Sequence, residues 1–95
     1  MKKSDVLAAD IIIYALKQIQ SAEYDKELTG ETDYWNGEIM PMKFLLLHID
    51  RLLGKKKEND IKLSTIPTVF ERVDKKRKER FDVLWREFWE EDLED

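Results

Sequence analysis

Only five residues in this chain of 95 break helix geometry: Gly30, Gly37, Gly54, Pro41 and Pro67. Between them run long stretches whose apolar residues recur every three or four positions. That is the spacing that lines one face of an α-helix. These features predict an all-α fold in one domain over residues 1–95: a small three-helix domain, built as a helical hairpin plus a long C-terminal helix, with a dimer compatible with its small core.

The first helix is expected over 5–28. Ser4 is a favourable N-cap, Asp5 suits the first turn and Gly30 suits a C-terminal stop. Ala8, Ile12, Ala15, Leu16 and Ile19 line its inner face, widened by Ala9 and Ile13. Asp10, Lys17, Ser21 and Tyr14 lie opposite. Residues 29–40 read as a structured loop, because Asn36-Gly37 is the strongest short turn signal in the chain. Pro41 suits the first turn of a second helix over 41–53, whose stripe is Met42, Leu45, Leu46, Ile49, Leu52 and Leu53, with Lys43, Asp50 and Arg51 facing away. Residues 54–66 read as a polar connector in which Ser64 or Thr65 caps a third helix over 67–92. Val69, Phe70, Val73, Leu84 and Phe88 mark its inner face, on which Arg77 also falls. A straight helix of this length spans ~38 Å, longer than the second, so one end should project or meet another chain.

Charge is abundant and unevenly placed. Lys/Arg against Asp/Glu number 5 and 9 over residues 1–50, 11 and 5 over 51–80, and 1 and 7 over 81–95, which gives −4, +6 and −6 and the net −4. A basic centre thus lies between acidic ends. Absence of cysteine fits a reducing, cytoplasmic setting and removes disulfide and thiolate chemistry. No apolar run approaches the ~18–20 residues that cross a bilayer, so no membrane association is expected.

Catalytic signals are weak, and the expectation is a protein that is not an enzyme, without catalytic residues, metal or cofactor. His48 is the one histidine, and Asp50 lies about 160° from it around a helix, so the two cannot chelate one ion. No His-x-x-x-His, cysteine pair or phosphate-cradling glycine loop is present. The acids Glu87, Glu90, Glu91 and Glu94 have helical spacing but read as a solvated tail.

Two kinds of partner remain. A protein partner is the leading expectation, for an inhibitor, adaptor or regulatory subunit of the size and charge density common among phage and mobile-element proteins. The partner would be a heterologous protein, a second copy, or both. Its first candidate surface is the late third helix, where Phe81, Trp85, Arg86 and Trp89 widen the apolar arc; Trp and Arg dominate interface hot spots. The second is the acidic aromatic segment of Asp33, Tyr34, Trp35 and Glu38. The alternative is a nucleic-acid-binding accessory protein, using Lys55, Lys56, Lys57, Lys75, Lys76, Arg77, Lys78 and Arg80 against phosphates. An acidic total and the lack of Asn, Gln and Ser base-readers in the basic run weigh against it.

Overall fold

The computed structural model of the protein describes residues 1–54 and 63–94, the last four by their backbone alone. Four helices occur among them: α1 (Lys3–Thr29), α2 (Thr32–Gly54), α3 (Ile66–Val69) and α4 (Lys75–Glu94). The expected three-helix plan is therefore corrected in two places, and each correction has a local cause.

The first is the segment 31–40, which is helix rather than loop. Gly30 ends α1 in the left-handed region (φ 71°), and its N–H donates to the Lys26 carbonyl at 2.9 Å. The chain reverses at once. Thr29 Oγ1 accepts the Glu31 N–H at 3.2 Å and the Trp35 Nε1–H at 3.0 Å, so one hydroxyl fastens the turn to the start of α2. Ile39 is then buried against α1, which favours helix across Asn36-Gly37 despite the turn propensity of that pair. Pro41 lies inside α2, not at its start. Its ring can displace only the hydrogen bond to the Gly37 carbonyl, four residues back.

The second correction concerns residues 67–92, which are two helices and not one. In a straight helix Phe70 and Phe81 would stand ~16 Å apart along the axis. Here their rings stack at 3.9 Å with planes 10° apart, both buried. The chain must fold back between them, and it does so through the turn at 70–74. Asp74 restarts the helix: its carboxylate accepts the Arg77 N–H at 3.2 Å and its carbonyl accepts the Lys78 N–H at 3.1 Å, the pattern of an N-cap.

α1 is the spine. α2 and α4 each pack along it, α3 touches α1 and α2, and the backbones of α2 and α4 do not pack on each other. The core joins Ile12, Leu16 and Ile19 of α1, Ile39 and Leu46 of α2, Ile66, Val69 and Phe70 around α3, and Phe81, Leu84 and Phe88 of α4. No helix of the described residues is long and apolar enough to cross a membrane.

The α1 helix begins without a side-chain cap, at Lys2, so Ser4 sits inside its first turn. At the start of α3, Thr65 makes no side-chain capping bond. The cap comes from another helix. Asp50 is only 3% exposed, and one of its oxygens accepts the N–H groups of Thr65 (2.8 Å) and Ile66 (3.1 Å). Asp50 thus faces inward, opposite to the orientation its charge suggests.

Candidate functional site

Burial of Asp50 fixes how α2 is rotated. Ile39, Lys43, Leu46 and Asp50 follow one another at helical spacing along its inner line, and Ile39, Leu46 and Asp50 are buried. The expected apolar stripe of α2 is therefore turned partly outward. Leu46 is fully buried, whereas Met42, Leu45 and Ile49 are half-buried. Leu52 remains 65% exposed and Leu53 37%.

On α1, Leu7, Ile11 and Tyr14 follow at i, i+4 and i+7, with exposures of 63%, 37% and 58%. Tyr14 is about 160° around the axis from the core residue Ile12. These side chains point away from α3 and the core. Tyr14, Gln18 and Asp25 of α1 border a hollow of about 350 Å³ together with Trp35, Glu38 and Met42 of α2, so the outward surfaces of the two helices are continuous. Because the helices are antiparallel, Ile49 and Leu52 extend that surface beside Ile11 and Leu7. The result is a two-helix apolar face, uncovered by α3 or α4, with Lys3 one turn before Leu7 at one end and Asp25 and Glu38 at the other. Exposed apolar side chains also occur away from this face, Tyr24 (63%) and Val83 (56%) beside other hollows among them, but here Leu7, Ile11 and Tyr14 share one line of a helix, and apolar side chains grouped in this way are a mark of contact surfaces.

Of this face only Trp35 and Glu38, at its far end, are among the expected contact residues; Leu7, Ile11, Tyr14 and Leu52 are not. A signal for it exists in the sequence: Leu7, Ile11 and Tyr14 form a second apolar stripe on α1, beside a core stripe already complete without them.

The expected aromatic site is built differently. Phe81 is buried. Trp85 is half-buried and stacks on Phe81 (centroids 5.1 Å) and on Phe88 (5.8 Å). Trp89 is half-buried and meets Trp85 and Phe88 edge-on at 5.6 and 5.2 Å. With Phe70 these rings form a ladder whose two tryptophans lean on the core, while Arg86 is exposed beside them. On the other flank of α4 a cleft of about 230 Å³ opens between α1, α2 and α4. Leu16, Ile19, Leu84 and Phe88 line it, with Glu23, Glu27, Glu87 and Glu90 around them. Gln20 Nε2 donates to the Glu87 carboxylate there, and Lys26 pairs with Glu23 at 3.0 Å.

Asp33, Tyr34, Trp35 and Glu38 stand on the first turns of α2. Trp35 is half-buried, and Tyr34, 59% exposed, meets its ring edge-on at 4.8 Å. Asp33 and Glu38 are exposed.

Ion pairs within the protein engage several of the described basic candidates. Lys55, Lys56 and Lys57 lie outside the described residues. Arg77 grips α1: its Nε and Nη2 donate to the two Asp10 oxygens at 2.8 and 3.3 Å, and its Nη1 donates to Asp74 at 2.6 Å. These hydrogen bonds hold both carboxyls below their ordinary range. Lys75 pairs with Glu79 (3.8 Å) and Lys78 with Asp82 (3.1 Å). Lys76 and Arg80 border the hollow of Arg77, Asp10 and Asp74, and with Lys17 of α1 and Glu79 they border a second, shallow one.

His48 is exposed on α2. Among the described residues no three His, Cys, Asp or Glu side chains converge as ligands to one ion would. No protein-family model, curated protein or solved structure matches the chain.

Proposed function

We propose that this chain is a non-enzymatic protein-binding module, acting as an adaptor, inhibitor or regulatory subunit. The observation that carries the reading is the apolar face of Leu7, Ile11, Tyr14 and Leu52, which stays open although the chain has a complete core elsewhere. Exposing large apolar side chains in one place costs solubility and adds nothing to folding, so a covering partner accounts for it. Arg86, Asp33, Tyr34 and Glu38 are exposed enough to extend such contacts. Phe81, Trp85 and Trp89 enter as support for the α4 surface, since their rings are engaged with one another. A cytoplasmic setting fits the cysteine-free sequence.

The test is retention of a protein on immobilised wild-type chain against a Tyr14→Lys, Leu52→Lys variant of unchanged helicity. A protein held by the first and lost by the second supports the module. A wild-type chain that holds nothing, a second copy of itself included, refutes it.

Nucleic-acid contact is the second reading. The observation favouring it is the grouping of Lys17, Lys76 and Arg80 around one hollow. Internal pairing of Lys75, Arg77 and Lys78 leaves it fewer phosphate contacts than the sequence offered.

A further inference from the structure

We infer that the partner covering the α1/α2 face is a second copy of this chain, docked with its helices running in the opposite direction. The inference rests on the reading of this face as a contact surface and adds the occupant and its orientation.

Size is the first argument. α1 and α2 pack on each other, and α2 is 23 residues long. Two helices of that length present a face of about 35 by 20 Å, or roughly 700 Å². A stable interface buries ~800 Å² per partner, so a matching two-helix face fills it and a smaller ligand does not. Pairing two such hairpins makes a four-helix arrangement, a common solution for helices with two apolar sides.

Charge selects the occupant and the direction. Lys3 marks one end of the face; Asp25 and Glu38 mark the other; the apolar side chains lie between, toward the Lys3 end. A surface with a cation at one end and anions at the other is complementary to itself when reversed. A two-fold axis perpendicular to the helices, passing near Ile11 and Tyr14, brings Lys3 of each copy toward Asp25 and Glu38 of the other. Apolar residues then meet apolar residues at the centre. Docking in the same direction would instead set Lys3 against Lys3 and Asp25 against Asp25, which disfavours that arrangement.

The experiment is sedimentation equilibrium of the full chain from about 1 to 200 µM, beside far-ultraviolet circular dichroism. The wild type should reach twice the chain mass within this range. Leu52→Lys and, separately, Tyr14→Lys should keep the helical signal and weaken association at least about tenfold. Two variants are used so that misfolding of one leaves the other as the test, and both positions are more than half exposed. Lys3→Glu alone should weaken association, and adding Asp25→Lys should restore it; failure of the pair to improve on the single change overturns the reversed orientation. A wild type that stays a single chain throughout overturns the second copy. If that single chain still retains another protein through Leu52, the module reading stands without this inference; if it retains nothing, both fall.

Discussion

Asp50 ties two helices together through one carboxylate, and its removal has a calculable cost. In Asp50→Ala the Thr65 N–H loses its 2.8 Å acceptor in a part-buried site. The Ile66 N–H keeps a second acceptor, the Leu63 carbonyl at 3.2 Å, and is not orphaned. A lost helix cap costs typically ~1 kcal/mol, and a buried donor left without a partner ~1–3 kcal/mol. Allowing for the Leu63 bond, the expected loss is about 2–3 kcal/mol, a large share of the roughly 5–14 kcal/mol available to a chain of this length. For a domain of this size that is a fall in Tm of roughly 10–20 °C. Asp50→Asn keeps an oxygen in place and should lose only about 1 kcal/mol, the difference between a charged and a neutral acceptor. Urea denaturation followed by circular dichroism measures both values. Amide hydrogen exchange should show Thr65 opening first, and with it the anchoring of Ile66, Val69 and Phe70, all buried. An Asp50→Ala protein within ~0.5 kcal/mol of wild type would refute the assignment of Asp50 as the cap of α3.

Gly37→Ala should stabilise the protein by about 0.5–1 kcal/mol, because the residue is inside α2 and, beyond its chain neighbours and its own helix backbone, nothing lies within 4 Å of the added methyl; a loss of stability in the same urea assay would show that α2 is not helical at this point. Trp85→Ala should cost about 2–3 kcal/mol and erase most of the near-ultraviolet aromatic signal, since its ring stacks on both Phe81 and Phe88; an unchanged midpoint would mean the ladder does not hold α4 in place. The folded pKa values of Asp10 and Asp74 lie below the unfolded ones, first through their hydrogen bonds from Arg77, so their contribution is complete above about pH 4 and is lost as pH falls through the lower folded values. Thermal melts should therefore show Arg77→Met less stable than wild type at pH 7, with the gap closing below about pH 4; a gap that widens in acid contradicts the pairing. Finally, Lys76→Glu with Arg80→Glu should leave Tm within a few degrees, and electrophoretic shift assays should detect no nucleic-acid complex for either protein at physiological salt; a wild-type complex that weakens steeply with salt and vanishes in the variant would establish the nucleic-acid reading instead.

The sequence by itself determined the helical class, the end of α1 at Gly30 and most of the core. These follow from local rules: apolar spacing along one helix is visible without knowing what covers it, and a positive φ favours glycine wherever the chain lies. Three things were decided only in three dimensions. Segment 31–40 became helix because Trp35 found Thr29 and Ile39 found α1. The C-terminal half broke at 70–74 because Phe70 gains more by stacking on Phe81 than by extending a straight rod. Asp50 turned inward because two backbone N–H groups from α3 were waiting there, and its burial rolled Leu52 outward. Each outcome depends on a partner far along the chain or across a helix interface, and a periodicity read along one helix carries no term for a partner on another. The open α1/α2 face has the same origin: apolar spacing tells which side chains share a face, and only packing tells which face is left uncovered.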